Sequence, residues 1–124
     1  MNRRTFCIAL TGAALSLSAT VLAHHGRATI FDMTKETTVK GTITEFLWSN
    51  PHVQVGIDAV DAKGTHRHWF LEMSSTSIMT TKGWSRKSLK VGDTITVVFH
   101  AGLRGAFTGD LLKVIFADGK QLTT

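Results

Sequence analysis

The residues with the most chemistry to offer in this chain are its six histidines, two of which form the pair His24-His25. Val21 and Ala23, just before this pair, are the small residues that a signal peptidase requires ahead of its cleavage point. Cleavage after Ala23 produces a mature chain that starts with His24. The free α-amine and the imidazole of such a residue can chelate one metal ion together, since histidine is the commonest metal ligand among side chains.

A third nitrogen from His52 or His100 would complete a T-shaped set of ligands, and the peptide nitrogen and imidazole of His25 would extend it. This geometry resembles the histidine brace of copper monooxygenases and periplasmic copper-binding proteins. Tetragonal coordination by nitrogen favours Cu(II), so copper is the predicted metal. The competing interpretation is a solvated N-terminus that holds no metal.

His52 directly follows Asn50-Pro51, at the start of a predicted strand. If this strand pairs with the next one across the turn at 61–64, Glu72 lies within reach of His52 in either of two registers, with index sums of 124 and 126. Glu72 is therefore a further candidate metal ligand. A plain surface pair is the alternative, because exposed pairs are common and weak.

A second cluster consists of His66 and His68, which share one face of a predicted strand, and Asp58, which the same pairing brings beside them. Two imidazoles and a carboxylate can bind zinc or copper. Six residues separate His52 from Asp58, a distance of roughly 20 Å along a strand, so the two clusters cannot form one site. A solvent-exposed face without a ligand is the alternative for this cluster.

Residues 1–23 have the pattern of a signal peptide, with Arg3 and Arg4 in a basic start and an apolar stretch from Phe6 to Leu22. The run that begins Arg3-Arg4 also resembles a twin-arginine signal, so twin-arginine and general export both stay open. An uncleaved N-terminal anchor is the alternative to cleavage. The sequence thus predicts a periplasmic protein that is not stably inserted in the membrane after cleavage.

Removal of 23 residues leaves 101, enough for one domain at 24–124. Cys7 is the only cysteine and leaves with the signal, so the mature domain has no disulfide and no cysteine metal site. The formal charge falls from +5 to +3 when Arg3 and Arg4 are removed, and no Lys/Arg cluster remains. This distribution argues against nucleic acid as a partner.

The mature sequence is dominated by period-two alternation of apolar and polar residues, which is typical of strands. We predict five strands, with a short helix between the third and fourth and a glycine-rich loop before the fifth. Their bounds are 37–48, 52–60, 65–73, 94–100 and 111–117 for the strands, 74–82 for the helix and 101–110 for the loop. Phe46 and Trp48 indicate a bulge in the first strand, and Trp84 is expected to plug one end of the core. This order predicts a mainly β, OB-like barrel, with a small open β-sandwich as the alternative.

The chain resembles an uncharacterised family of small exported bacterial proteins. The resemblance covers nearly the whole mature chain and rests on these elements: Ala23-His24-His25, Phe31-Asp32, Gly41-Thr42-Ile43, Glu45-Phe46, Trp48-Ser49-Asn50-Pro51-His52, Gly83-Trp84, Leu89-Lys90-Val91-Gly92-Asp93 and Ala117-Asp118-Gly119. The Trp-x-Asn-Pro-His element is the most specific of them. The resemblance implies export and a fold, but no activity.

The predicted function is a small periplasmic metal-binding protein, with copper as the predicted metal, that works as a carrier or sensor. His24 and His52 are its principal ligands, with His25, Glu72 and His100 in second rank. The alternative is a metal-free module whose barrel face and 101–110 loop bind a small apolar molecule, a glycan or a periplasmic protein partner. An enzyme ranks below both, because the short chain shows no hydrolase-type arrangement of serine, cysteine or paired carboxylates.

Overall fold

The structure is a computed structural model that describes residues 26–61 and 63–124. Phe31–Thr124 form one compact unit, which contains the strands, and residues 26–30 belong to a second unit. In the second of these units the described part includes a helical turn at residues 26–28. Across the described ranges, no helix is both long and apolar enough to cross a lipid bilayer.

A closed barrel of five strands forms the compact unit, with one helix and one extra strand. The elements in chain order are β1 (Thr37–Leu47), β2 (Gln54–Val60), β3 (His66–Glu72), α1 (Thr76–Thr81), β4 (Thr94–Ala101), β5 (Thr108–Ile115) and β6 (Gln121–Thr123). The sheet order is β3-β2-β1-β4-β5-β6, and a parallel pairing between β3 and β5 closes the barrel. The predicted mainly β barrel, with its helix between the third and fourth strands, is confirmed; β6 is the addition.

The core follows the alternation of the strands. Inward positions of β2 and β4 are buried, and their neighbours face outward. Trp84 is 1% exposed, and its indole nitrogen donates a hydrogen bond to the Thr123 carbonyl oxygen at 2.8 Å. Trp84 and Met79 of α1 belong to the buried cluster. The prediction that Trp84 is a core residue is therefore confirmed.

The helix α1 is held to the bend before β2 by a side chain. Asn50 Oδ1 accepts hydrogen bonds from the backbone nitrogen of Thr76 at 3.0 Å and from its hydroxyl at 2.9 Å. Ser75 is the N-cap residue, as a helix start favours. Asn50 thus fixes the segment that leads into His52 against the start of the helix.

A bulge in β1 explains why inward-facing residues change from odd to even numbers along this strand. The register with β2 shifts between Ile43 and Glu45, which leaves Thr44 as the extra residue. Ile43 is buried before the shift, and Phe46 packs against the core after it. The predicted bulge is present, slightly earlier than the aromatic residues suggested.

The predicted loop at 101–110 is present but shorter at both ends. β4 continues to Ala101, and β5 begins at Thr108 rather than at Leu111, so the connection is confined to residues 102–107. Gly109 was interpreted as a loop residue but lies in β5, because its missing side chain lets the strand approach the core. A Cβ there would lie 2.4 Å from Phe99 Cδ2 and 2.8 Å from Leu71 Cδ2. The remaining connection contains a single 3-10 turn, Leu103–Gly105.

Candidate metal-binding site

His52 and Glu72 meet where β2 begins and β3 ends. The strands pair with Gln54 opposite Glu72, which is the register with index sum 126. His52 Nδ1 lies 3.4 Å from Glu72 Oε2, and the two side chains are 43% and 27% exposed. The expected proximity of these two candidate ligands is therefore observed.

The orientation of this pair leaves one imidazole nitrogen for a ligand. A carboxylate can only accept a hydrogen bond, so Nδ1 of His52 donates to Glu72. In the neutral imidazole the lone pair then resides on Nε2. This is the arrangement in which metal-binding histidines are commonly held, with a carboxylate fixing the tautomer and the ring.

Glu72 is also the first member of a polar row that crosses the outside of the barrel. It is the register partner of Asp110 across the parallel β3–β5 pairing, and Asp110 is the partner of His100 across β4–β5. The neighbouring positions Leu71 and Phe99 are fully buried in the core, so the row lies on the opposite face of the strands. We call His52, Glu72, Asp110 and His100 together the His52 end.

Asp110 is the residue of this end that sequence reasoning missed. It is 3% exposed, and among the residues that the structure describes it is the charged residue that is buried. Its place depends on the β3–β5 pairing, which no local pattern predicts, and on Gly109 being in a strand. The usable signal was Leu111: once it is an inward residue of β5, Asp110 must face outward beside His100.

His100 has a fixed orientation of the same kind as His52. Its Nδ1 lies 2.8 Å from the carbonyl oxygen of Lys35, which can only accept, so Nδ1 donates, and in the neutral imidazole the lone pair is then on Nε2. The segment around Lys35 is anchored to β4, since the Asp32 backbone nitrogen donates to the Ala101 carbonyl oxygen at 2.9 Å. Hydrogen bonds from the hydroxyl and backbone nitrogen of Thr34 hold the pKa of Asp32 below its usual value.

The second predicted cluster lies at the other end of the β2–β3 ladder. His68 Nδ1 is 2.6 Å from Asp58 Oδ1, and both side chains are more than half exposed. His66 is the register partner of Val60, on the same face as His68. We call Asp58, Asp61, His66 and His68 the hairpin end.

The remaining candidate ligands, His24 and His25, lie outside the described residues. Among the described ones, no three His, Cys, Asp or Glu side chains are placed to hold a metal ion together. The structure therefore brings His52 and Glu72 into contact, aligns Glu72, Asp110 and His100 in one row, and places the Asp58–His68 pair at the other end of the β2–β3 ladder.

Residues 13–111 match a family of unknown function, DUF6152. The chain belongs to this family. The match spans β1 to β4 and reaches the first half of β5, so it includes every residue of the His52 end. No curated protein and no solved structure matches this DUF6152 chain significantly.

Proposed function

We propose that the protein is an exported copper-binding protein of the periplasm, which carries or senses the metal rather than catalysing a reaction. Its signal peptide is cleaved after Ala23, and the new N-terminus at His24 supplies two nitrogens, the α-amine and the imidazole. The start at His24 and the Trp-x-Asn-Pro-His element that ends at His52 are, in this proposal, the functional hallmarks of the family. Cu(II) suits a tetragonal set of nitrogen ligands better than other common divalent metals.

The observation that carries the proposal is the oriented imidazole of His52. Its Nδ1 lies 3.4 Å from Glu72 Oε2, and in the neutral imidazole Nε2 then has the lone pair that a metal ion needs. At 43% exposure the side chain is accessible to a third component. Its contact with His52 gives Glu72 a different role in the proposal: Glu72 orients the ligand His52 and is not itself the ligand.

The length of the intervening chain limits which partners His24 can use. Phe31 lies seven positions after His24, so the two lie at most about 25 Å apart. Phe31 forms a β-bridge with Gly102, two residues beyond His100. In this proposal His52 supplies the third nitrogen, while His100 and His25 are reserve ligands.

The deciding experiment compares the chain that begins with His24 and the same chain with one alanine added before it. Cu(II) is titrated into each, and binding is followed by EPR and by the d–d absorbance band. We expect tight 1:1 binding to the first chain and loss of that binding in the second, since the added residue moves the α-amine away from the imidazole. As a control, the two chains must unfold at the same urea midpoint, so that a loss of binding does not reflect a loss of stability.

Two other results would overturn the proposal. Equal binding by both chains would exclude the α-amine as a ligand and would move the site to side chains alone. Absence of binding below micromolar concentration in both would exclude a copper function. The mass of the exported protein tests the cleavage point independently.

A further inference from the structure

A cavity of about 460 Å³ lies at the end of the barrel farthest from His52. Its walls are the start of β1, the end of β2, the start of β3 and the connection before β5. Its lining includes the side chains of Val39, Lys40, Ala59, Arg67, Trp69 and Phe107. Mouths of β-barrels are preferred places for small-molecule sites, and the volume lies toward the lower end of the range for such sites.

The apolar part of the cavity is aromatic. The rings of Trp69 and Phe107 meet edge to face with centroids 5.2 Å apart, and Trp69 also packs on Phe99 at 4.8 Å. Phe107 is 44% exposed although its ring is large and apolar. An edge-to-face pair with one exposed member leaves aromatic surface against which a flat apolar ligand can pack.

The polar part of the cavity has a surplus of positive charge. The Arg67 guanidinium lies over the Phe107 ring, 5.1 Å from its centroid, and Lys40 lines the same space. Asp61 is the acidic residue of this lining, and its Oδ2 lies 3.5 Å from Arg67 Nε. That contact engages Nε, whereas the two terminal nitrogens of the guanidinium carry four further N–H donors.

Asp61 is occupied mainly by the turn between β2 and β3. Its Oδ1 accepts hydrogen bonds from the backbone nitrogens of Lys63 and Thr65, both at 2.9 Å. The carboxylate therefore positions the Arg67 side chain while it holds the turn. A planar guanidinium presented in this way matches a carboxylate in a bidentate geometry.

We propose that this cavity binds a small aromatic monocarboxylate of one or two fused rings. The ring lies against Phe107 and Trp69, and the carboxylate accepts hydrogen bonds from the terminal nitrogens of Arg67, with Lys40 adding attraction at the rim. This inference does not rest on the copper proposal, because the cavity and His52 are at opposite ends of β2.

The test uses 1-naphthoate, and its neutral analogue 1-naphthylmethanol as a matched probe, with the mature chain in a calorimeter. About 13 non-hydrogen atoms at about 0.3 kcal/mol each give an expected Kd for naphthoate of about 1 mM or tighter. Arg67→Gln should weaken naphthoate binding about tenfold and leave the alcohol within twofold, because only the carboxylate uses the charged donors. Phe107→Ala should weaken both probes.

Arg86→Gln is the control, since it removes an exposed arginine that does not line the cavity. Arg67→Lys should recover part of the naphthoate affinity. The proposal is overturned if naphthoate shows no binding at about 10 mM, roughly ten times the expected Kd, or if Arg67→Gln weakens the binding of acid and alcohol alike. A change in the NMR chemical shift of the Trp69 indole N–H on binding gives a second readout that is independent of calorimetry.

Discussion

The β2–β3 ladder carries a histidine–carboxylate pair at each end, and the two pairs lie in different surroundings. At the His52 end the carboxylate, Glu72, is 27% exposed and stands beside the buried Asp110. At the hairpin end the carboxylate, Asp58, is 58% exposed, although its contact with His68 is shorter. The shorter contact is thus the more solvated one, and a solvated pair has little energy to contribute.

This difference shows that a contact distance alone does not identify a site. The His52 end differs in that three strands contribute to it: β3, β5 and β4 bring Glu72, Asp110 and His100 into one row. The hairpin end receives its neighbours from one hairpin and faces solvent. Metal affinity should therefore depend on the first end and be indifferent to the second.

The largest expected effect is the loss of copper affinity in His52→Ala. Removing a ligand should cost at least the upper end of the range for outer-shell changes, about 100-fold in affinity. His68→Ala is the matched variant at the hairpin end and should change affinity less than about twofold, since surface pairs contribute little. The measurement is a competitive Cu(II) titration of the chain beginning at His24. A larger loss in His68→Ala than in His52→Ala would reverse the comparison.

A glycine at each end should resist substitution for a different physical reason. Gly109→Ala places a Cβ within 3 Å of Phe99 and Leu71 in the core, and overpacking of this kind costs about 1–3 kcal/mol. Gly64→Ala, at the hairpin end, meets no atom within 4 Å and is strained only by its φ of +78°. Its expected cost is about 1–2 kcal/mol. Urea unfolding of both variants measures these costs, and a Gly109→Ala midpoint equal to that of the parent protein would show that the core beside Gly109 yields easily.

The fold was largely predictable from the sequence because alternation is a local signal. Inward residues of β2 and β4, the helix with its serine cap, and Trp84 in the core followed from patterns within a few residues. The row at the His52 end was only half predictable: the β2–β3 hairpin gave the proximity of His52 and Glu72. The place of Asp110 could not be predicted because the parallel pairing of β3 with β5 joins positions nearly forty residues apart in the sequence.

Gly109 is the second reason why the place of Asp110 was not predicted from the sequence. Clustered glycines usually indicate a loop, but Gly109 is required by close approach to the core and not by a turn. The aromatic cavity has a different status: the sequence pointed to the barrel face and the 101–110 loop as a place for an apolar ligand, but it could not predict which residue Phe107 contacts. Its contact with Trp69 exists only in the closed barrel.

A smaller effect should separate the two carboxylates. Glu72→Gln keeps the shape of the side chain but removes the charge that fixes His52, and we expect about a tenfold loss of Cu(II) affinity. Asp58→Asn makes the same change beside His68 and should leave copper binding as it was. EPR hyperfine splitting provides a second readout, because a reoriented imidazole changes the ligand field. Unchanged affinity and spectrum in Glu72→Gln would remove Glu72 from the site.

The smallest effect concerns acid stability at the hairpin end. Backbone hydrogen bonds from Thr65 and Lys63, with the charge of Arg67, lower the pKa of Asp61 from its ordinary value of 3.8. The folded-state pKa is below the unfolded one, so the stabilisation from Asp61 is fully present above about pH 4 and is lost as pH falls through the folded pKa. The difference in unfolding free energy between the protein and Asp61→Asn should therefore be constant near neutral pH and shrink below pH 4. Urea titrations of Glu72→Gln over the same pH range provide the comparison at the His52 end. A difference in unfolding free energy for Asp61→Asn that grows as the solution is acidified would contradict the role assigned to Asp61.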